Sequence, residues 1–322
     1  MATTHTSTEA AAQEPIPALP GGAPPEGPDR EFTVKARSQR QQIVRHFLHN
    51  RVGMTGLGIF VLLVLFGFVG PLINPKSYDE LNAHAQSVPP GHQGYLLGSD
   101  AIGRDLLSGI MEGIQRSLLI VLLFVVIALP VGLAIGAVAG YFGKWADSVL
   151  MRIVDLILTV PLFVVLVVVA SNFPNARTPL GVGVILGIFG WMDLSRIVRS
   201  QFLSLREKEY VEAAHALGAS NSRIIFKHLI PNALGSLIVW TTLAAATAII
   251  LEASLTYLGF GVNGANQTSL GRLVSDGVQA ADTRPWLFYF PGITLLIIVF
   301  AINLIGDGIR DAFDPSNRRV RA

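Results

Sequence analysis

The stretch EYVEAAHALGASNSRIIFKHLIPN, Glu209 to Asn232, separates two runs of apolar residues that are each long enough to cross a bilayer. Within it, YVEAAHAL is built from good helix formers. Gly218 suits the left-handed position that ends a helix. Ser220 or Asn221 suits the cap of a second helix, SRIIFKHLI. Pro231 then falls where the first turn of the next apolar run tolerates a missing amide. The spacing therefore predicts a short charged helix over about 207–219, a sharp turn, and a second basic helix leading into a membrane span. An alanine pair, Ala213–Ala214, offers a smooth surface that a groove could approach closely, and Glu212 places an anion beside it.

The rest of the chain fits a membrane setting. It has 322 residues, 51% hydrophobic and only 14% charged, against about a quarter charged in soluble domains. Its mean hydropathy is +0.52. There is no cysteine, which excludes disulfides, thiolate metal sites and cysteine nucleophiles, and the net charge of +2 argues against nucleic acid as a partner. Residues 1–36 are rich in Ala, Pro, Gly and Thr and lack the basic start and apolar run of a secretory signal, so a disordered tail is expected there. A short basic tail is expected over 317–322.

Six apolar runs fit spans, at about 52–73, 117–141, 149–170, 180–197, 233–258 and 286–309. Pro130 and Pro161 lie inside the second and third, where a kink is expected. With both termini placed inside, eighteen of the 24 Lys and Arg residues fall on the inner side: the N-terminal flank, Lys144, Arg152, the 196–227 loop and the tail. Only Lys76, Arg104, Arg116, Arg177, Arg272 and Arg284 fall outside. That bias sets both ends and the Glu209–Asn232 stretch in the cytoplasm. Residues 100–116 alternate apolar and polar faces at helical spacing, which predicts a separate amphipathic helix on the outer surface, capped by Ser99 or Asp100. Gly132, Gly136 and Gly140 recur every four residues, a spacing that lets helix backbones approach closely. The fold class is thus an all-α integral membrane protein with six transmembrane helices, lying within residues 37–316.

Asp155 and Glu252 are charged positions inside apolar runs. Each reads first as a polar tie between helices, with contact to a substrate or gate as the second reading. No span contains a His, so a proton relay or metal path has no support. Asp307, Asp311 and Asp314 share a helical face but read as a solvated helix end beside Arg310, and no metal site is expected. GFGVNG (259–264) matches G-x-G-x-x-G but follows a membrane helix and not a strand, so it is no dinucleotide site.

EAAHALG, with a proline thirteen positions after its glycine, resembles the EAA signature of the membrane subunits of ABC importers. Glu212, Ala213, Ala214, Gly218 and Pro231 match it, whereas His228 and Ile230 stand where other branches show Ile and Leu. RIIFKHLIPN is similar to the peptide-importer branch. LGSDAIGRDLLSGI (97–110), RIVDLILTVP (152–161), EASLTYLGFGV (252–262) and NLIGDGIRDAFDP (303–315) are similar to the C-type subunit of the dipeptide, oligopeptide and nickel importers. The likeness covers roughly residues 40–316.

What the resemblance implies is a type I ABC importer permease fold with a cytoplasmic coupling helix, working in a bacterial plasma membrane. It also implies that two cytoplasmic ATPases, which hold the ATP and Mg, grip the two EAA helices of the paired subunits, on this chain through Glu209, Tyr210, Glu212, Ala213, Ala214, Leu217, Gly218, Ala219 and Ser220. A homologous permease subunit completes the path, and an external binding protein delivers the peptide. No catalytic residue and no cofactor is expected in this chain, which lacks the G-x-x-x-x-G-K-[ST] of a P-loop. A nickel or other small-solute cargo is the alternative within the class. An ion-coupled secondary transporter and a membrane-embedded hydrolase are the readings outside it.

Overall fold

The computed structural model describes residues 39–264 and 267–313. The tails expected over 1–36 and 317–322, and Asp314, lie outside the described residues. Among the described residues every regular element is helical. Helix α1 (Gln39–His49) leads through Asn50 into α2 (Arg51–Ile73), and a long connection then reaches α3 (Leu106–Phe142). After it come α4 (Lys144–Leu158), α5 (Leu162–Asn172), α6 (Pro179–Arg206), α7 (Glu209–Ala216), α8 (Asn221–Ile224), α9 (Ile230–Tyr257), α10 (Leu270–Val278) and α11 (Trp286–Phe313). Among the described residues five helices are long and apolar enough to cross a membrane, and the bent pair α4–α5 makes a sixth when counted as one span.

Three elements differ from the sequence expectation, each for a local reason. The helix expected over 100–116 is not separate. Asp100 Oδ1 accepts the amides of Ile102 (3.0 Å) and Arg104 (2.8 Å), which folds residues 100–104 into a turn. Helix then begins at Leu106, with Asp105 accepting from Ser108 N at 2.9 Å, in place of the caps expected at Ser99 or Asp100. Nothing interrupts the chain between Gly113 and Ser117, so the amphipathic turns run directly into the second span, and the helix continues through Pro130.

The third span breaks at Thr159–Pro161 and turns by 70°, more than the expected kink. Proline cannot donate to the ladder, and it pushes the preceding residue out of helical conformation. The fourth span runs on to Arg206, nine residues past its apolar run, so Arg196, Arg199 and Arg206 sit on a helix and not in a loop.

Close backbone contact holds the spans together. Gly132, Gly136 and Gly140 are buried on α3 and face α6. A Cβ on them would meet Leu194 Cβ at 2.8 Å, Ser195 O at 2.5 Å and Phe202 Cβ at 2.6 Å, respectively. A second close approach joins α2 to α11, where a Cβ on Gly56 would meet Leu304 Cβ at 2.6 Å and Ala301 O at 2.9 Å. Asn50 reinforces it: its Oδ1 caps α2, and its Nδ2 donates to Asp311 at 2.9 Å. In lipid the hydrophobic effect gives no net pull between helices, so such contacts carry association.

Gly58, two residues along α2, has nothing within 4 Å of a built Cβ. Gly56→Ala should therefore lower stability by about 1–3 kcal/mol through forced separation of α2 and α11. Gly58→Ala should be neutral or stabilising by up to about 1 kcal/mol. Thermal unfolding of the two variants in the same detergent checks the contrast.

Candidate functional site: the α7 stub and its anchors

Helix α7 is short, and its stop is built into the backbone. Leu217 closes it, Gly218 takes φ +77°, Ala219 N donates to Ala214 O at 3.0 Å, and Gly218 N donates to His215 O at 2.9 Å. This is the Schellman arrangement, which needs a left-handed residue where Gly218 stands. Glu209 and Glu212 lie in the first turn, where the helix dipole favours anions. Ser220 then caps α8 through Arg223 N at 3.4 Å. The expected range of 207–219 thus contains eight helical residues, with turns on both sides.

The second basic helix does not stop before the fifth span. Residues Ile225–Leu229 form a π turn, in which Ile230 N donates to Ile225 O, and α9 starts at once. Pro231, in the first turn of α9, cannot donate a backbone bond. The wider turn before it keeps the helix continuous despite that missing bond.

One face of the stub is anchored and the other is open. Val211 is buried with Ile224, Leu229, Ala233 and Leu237 and with Leu194, Val198 and Phe202 of α6. Ala214 and Ala219 pack partly against the same cluster. Glu209, Glu212, Ala213, Gly218 and Ser220 are exposed, and so are Tyr210 (41%) and Leu217 (88%). Of the alanine pair, therefore, Ala213 faces outward and Ala214 faces the body. Partial burial holds the Tyr210 phenol above its ordinary pKa, so it remains neutral across cellular pH.

Two further residues, unmarked by any motif, tie α3 to its neighbours: Tyr141 to the stub and Arg206 to the end of α6. The Tyr141 hydroxyl donates to Asn221 Oδ1 at 2.8 Å and lies 3.3 Å from His215 Nε2, and its ring stacks on His215. Arg206 Nη1 reaches the carbonyls of Gly140 (3.2 Å) and Tyr141 (3.5 Å), satisfying the last turn of α3. Between them lies an open cleft of about 520 Å³, lined by Tyr141, Phe142, Arg206, Glu207, Glu212, His215 and Asn221. The signal that could have found them is position, since both stand at the ends of long helices next to the stub.

The two charged positions inside apolar runs both make ties. Asp155 of α4 pairs with Arg196 of α6 at 2.5 Å, and the neighbouring Asp147 takes a two-pronged contact from Arg199. Glu252 of α9 is 1% exposed. It accepts from Ser269 at 2.6 Å and from Thr256 at 2.9 Å. Ser269 in turn caps α10, so Glu252 fixes the 259–285 connection onto α9. Among the described residues no group of three His, Cys, Asp or Glu could hold a metal ion.

Tyr141→Phe should leave the spans intact and release α7, raising hydrogen exchange across residues 209–219 by about twofold to tenfold, the equivalent of one modest hydrogen bond. Gly218→Ala should act in the same place through backbone strain of about 1–2 kcal/mol. Unchanged exchange in both variants would show that these contacts do not hold the stub.

Known proteins share these features. Residues 38–90 match the N-terminal TM domain of oligopeptide transport permease C. The oligopeptide transport system permease protein OppC of Mycobacterium bovis is 41% identical over 284 residues, covering 88% of this chain and 97% of that protein. The OppC of Escherichia coli K12 is 36% identical over 289 residues, covering 89% and 95%. A chain of the MetNI methionine ABC transporter, in an inward-facing conformation, has a TM-score of 0.51 at 22% identity, covering 65% of this chain and 96% of that one, and so shares its fold. Residues 132–319 match the binding-protein-dependent transport system inner membrane component family, and the chain, a multi-pass membrane permease, belongs to it.

Proposed function

We propose that the chain is a membrane-spanning permease subunit of an ATP-driven importer of oligopeptides. It forms half of the translocation path beside a homologous subunit. Two cytoplasmic ATPases clasp the α7 stubs of the pair, and an external binding protein hands over the peptide. The names of the relatives support the cargo. The excess of Lys and Arg on one side supports a bacterial plasma membrane topology with both termini and α7 in the cytoplasm. ATP and Mg belong to the ATPases, since this chain has no P-loop. The permease body lies within residues 37–316, flanked by short tails.

The single observation that carries the coupling role is the two-faced stub. Its outer face exposes Tyr210, Ala213 and Leu217 with Glu212 beside them, and its inner face locks Val211 into the cluster shared by α6 and α9. A push on the outer face reaches the fourth and fifth spans through Val211, which packs with residues of both. Alternating access then follows from rigid movement of those spans.

Because Leu217 is 88% exposed, Leu217→Asp should leave folding unchanged. Burial of one leucine in a docking groove contributes about 1.5–3 kcal/mol. Peptide-stimulated ATP turnover of the complete complex should therefore fall at least about tenfold, and Glu212→Lys should have the same effect. Wild-type turnover in both variants, with normal insertion, would refute docking at this stub.

A further inference from the structure

Helix α6 presents two exposed strips of different character, on nearly opposite sides of its axis. In the first half one strip carries Leu180, Val184 and Ile188, at 57%, 36% and 49% exposure. In the second half the other carries Asp193, Arg196, Ser200 and Ser204, all exposed. These four recur at intervals of three or four residues, so they form one continuous strip. Asp155 of α4 reaches into the strip to meet Arg196, and both side chains of that pair stay about half exposed, at 54% and 48%. Asp193 has no ion-pair or hydrogen-bond partner among the described residues.

The depth of this strip in the membrane follows from the helix itself. Arg177 stands just before α6, and Pro179 opens it. A hydrocarbon layer of about 30 Å takes about 20 helical residues. Counted from Pro179, that reaches Val198. Asp193 and Arg196 therefore lie within the hydrocarbon depth and not beyond it.

A charge placed there against lipid costs about 2.5–3.5 kcal/mol. A protein neighbour could remove that cost only by burying a counter-charge opposite Asp193 and also matching three further polar positions. Water removes it with no such partner.

We infer that the Asp193–Arg196–Ser200–Ser204 strip, with Asp155, lines a water-filled stretch of the translocation route opening toward the cytoplasm. This rests on the transporter reading above. The wall so formed carries one uncompensated negative charge, Asp193, and otherwise presents hydroxyls and a neutralised ion pair. Such a wall suits a hydrated, polar cargo.

The chain has no cysteine of its own, so single cysteines report cleanly. The complete transporter, in inside-out membrane vesicles, is exposed to the impermeant thiol reagent methanethiosulfonate-ethyltrimethylammonium, and modification is read as a mass shift of this chain. Thiol modification needs the thiolate, and the thiolate needs water. Asp193→Cys and Arg196→Cys should therefore react at least about tenfold faster than Val184→Cys and Ile188→Cys. Equal, slow rates at all four positions would place the strip against lipid and overturn the inference. So would fast modification at 193 and 196 in the chain inserted alone but slow modification in the complete transporter, since that would mean burial by a partner subunit. If Asp193→Cys fails to insert, Arg196→Cys carries the same comparison. Failure of the importer reading would instead appear as an absence of peptide-stimulated ATP turnover in the unmodified complex, whatever the labelling rates.

Discussion

The backbones of α3 and α6 touch along Gly132, Gly136 and Gly140, and much else in the structure depends on that contact. Apolar surfaces gain little from leaving lipid for each other, so two spans stay together only where they fit closely. Three glycines at one-turn spacing give α6 a groove for Leu194, Val198 and Phe202. Those same residues form the floor on which Val211, Ile224 and Leu229 rest. The seat of the α7 stub is therefore a by-product of how two spans pack. Polar ties then hold the ends in place: Arg206 on the last carbonyls of α3, Tyr141 on Asn221, and Asp155 on Arg196.

Polar contacts at the opposite end do comparable work with different groups. Glu252 is enclosed by Ser269 and Thr256, and Ser269 also starts α10, so one carboxylate fastens a connection of some two dozen residues to a span. Asn74 is similar: its amide reaches Asp105 at 3.1 Å and Ser108 at 2.8 Å, which joins the end of α2 to the beginning of α3. Polar groups near the membrane thus mostly tie one element to another, and this makes the open polar strip of α6 stand apart.

Much of this was legible in the residues. Apolar runs of span length located the five long apolar helices and the bent pair α4–α5, because the bilayer sets a length that the chain must meet. The stub was legible through Gly218 and Ser220, since a left-handed turn and a side-chain cap demand particular residue types. Asp155 and Glu252 were visible as costly charges, and each makes a contact to another element. Other features depended on tertiary context. The continuous α3 could not be told from a surface helix followed by a span, because amphipathic turns look alike in either setting. The length of α6 was hidden because its polar second half reads as a loop when hydropathy is the guide. Tyr141 and Arg206 belong to no motif, and only the folded chain brings them to the stub.

The π turn at Ile225–Leu229 has a geometric consequence. An α-helix advances about 100° per residue, and a π turn holds one residue more than its α counterpart. That extra residue sets the azimuth at which the stub leaves the axis of the fifth span. Remove it, and a regular helix would swing everything before it by roughly a quarter of a revolution, pointing Leu217 and Tyr210 at a different neighbour and lifting Val211 and Ile224 off their seat on α6. The direction in which this protein presents its handle is thus kept by a single supernumerary residue.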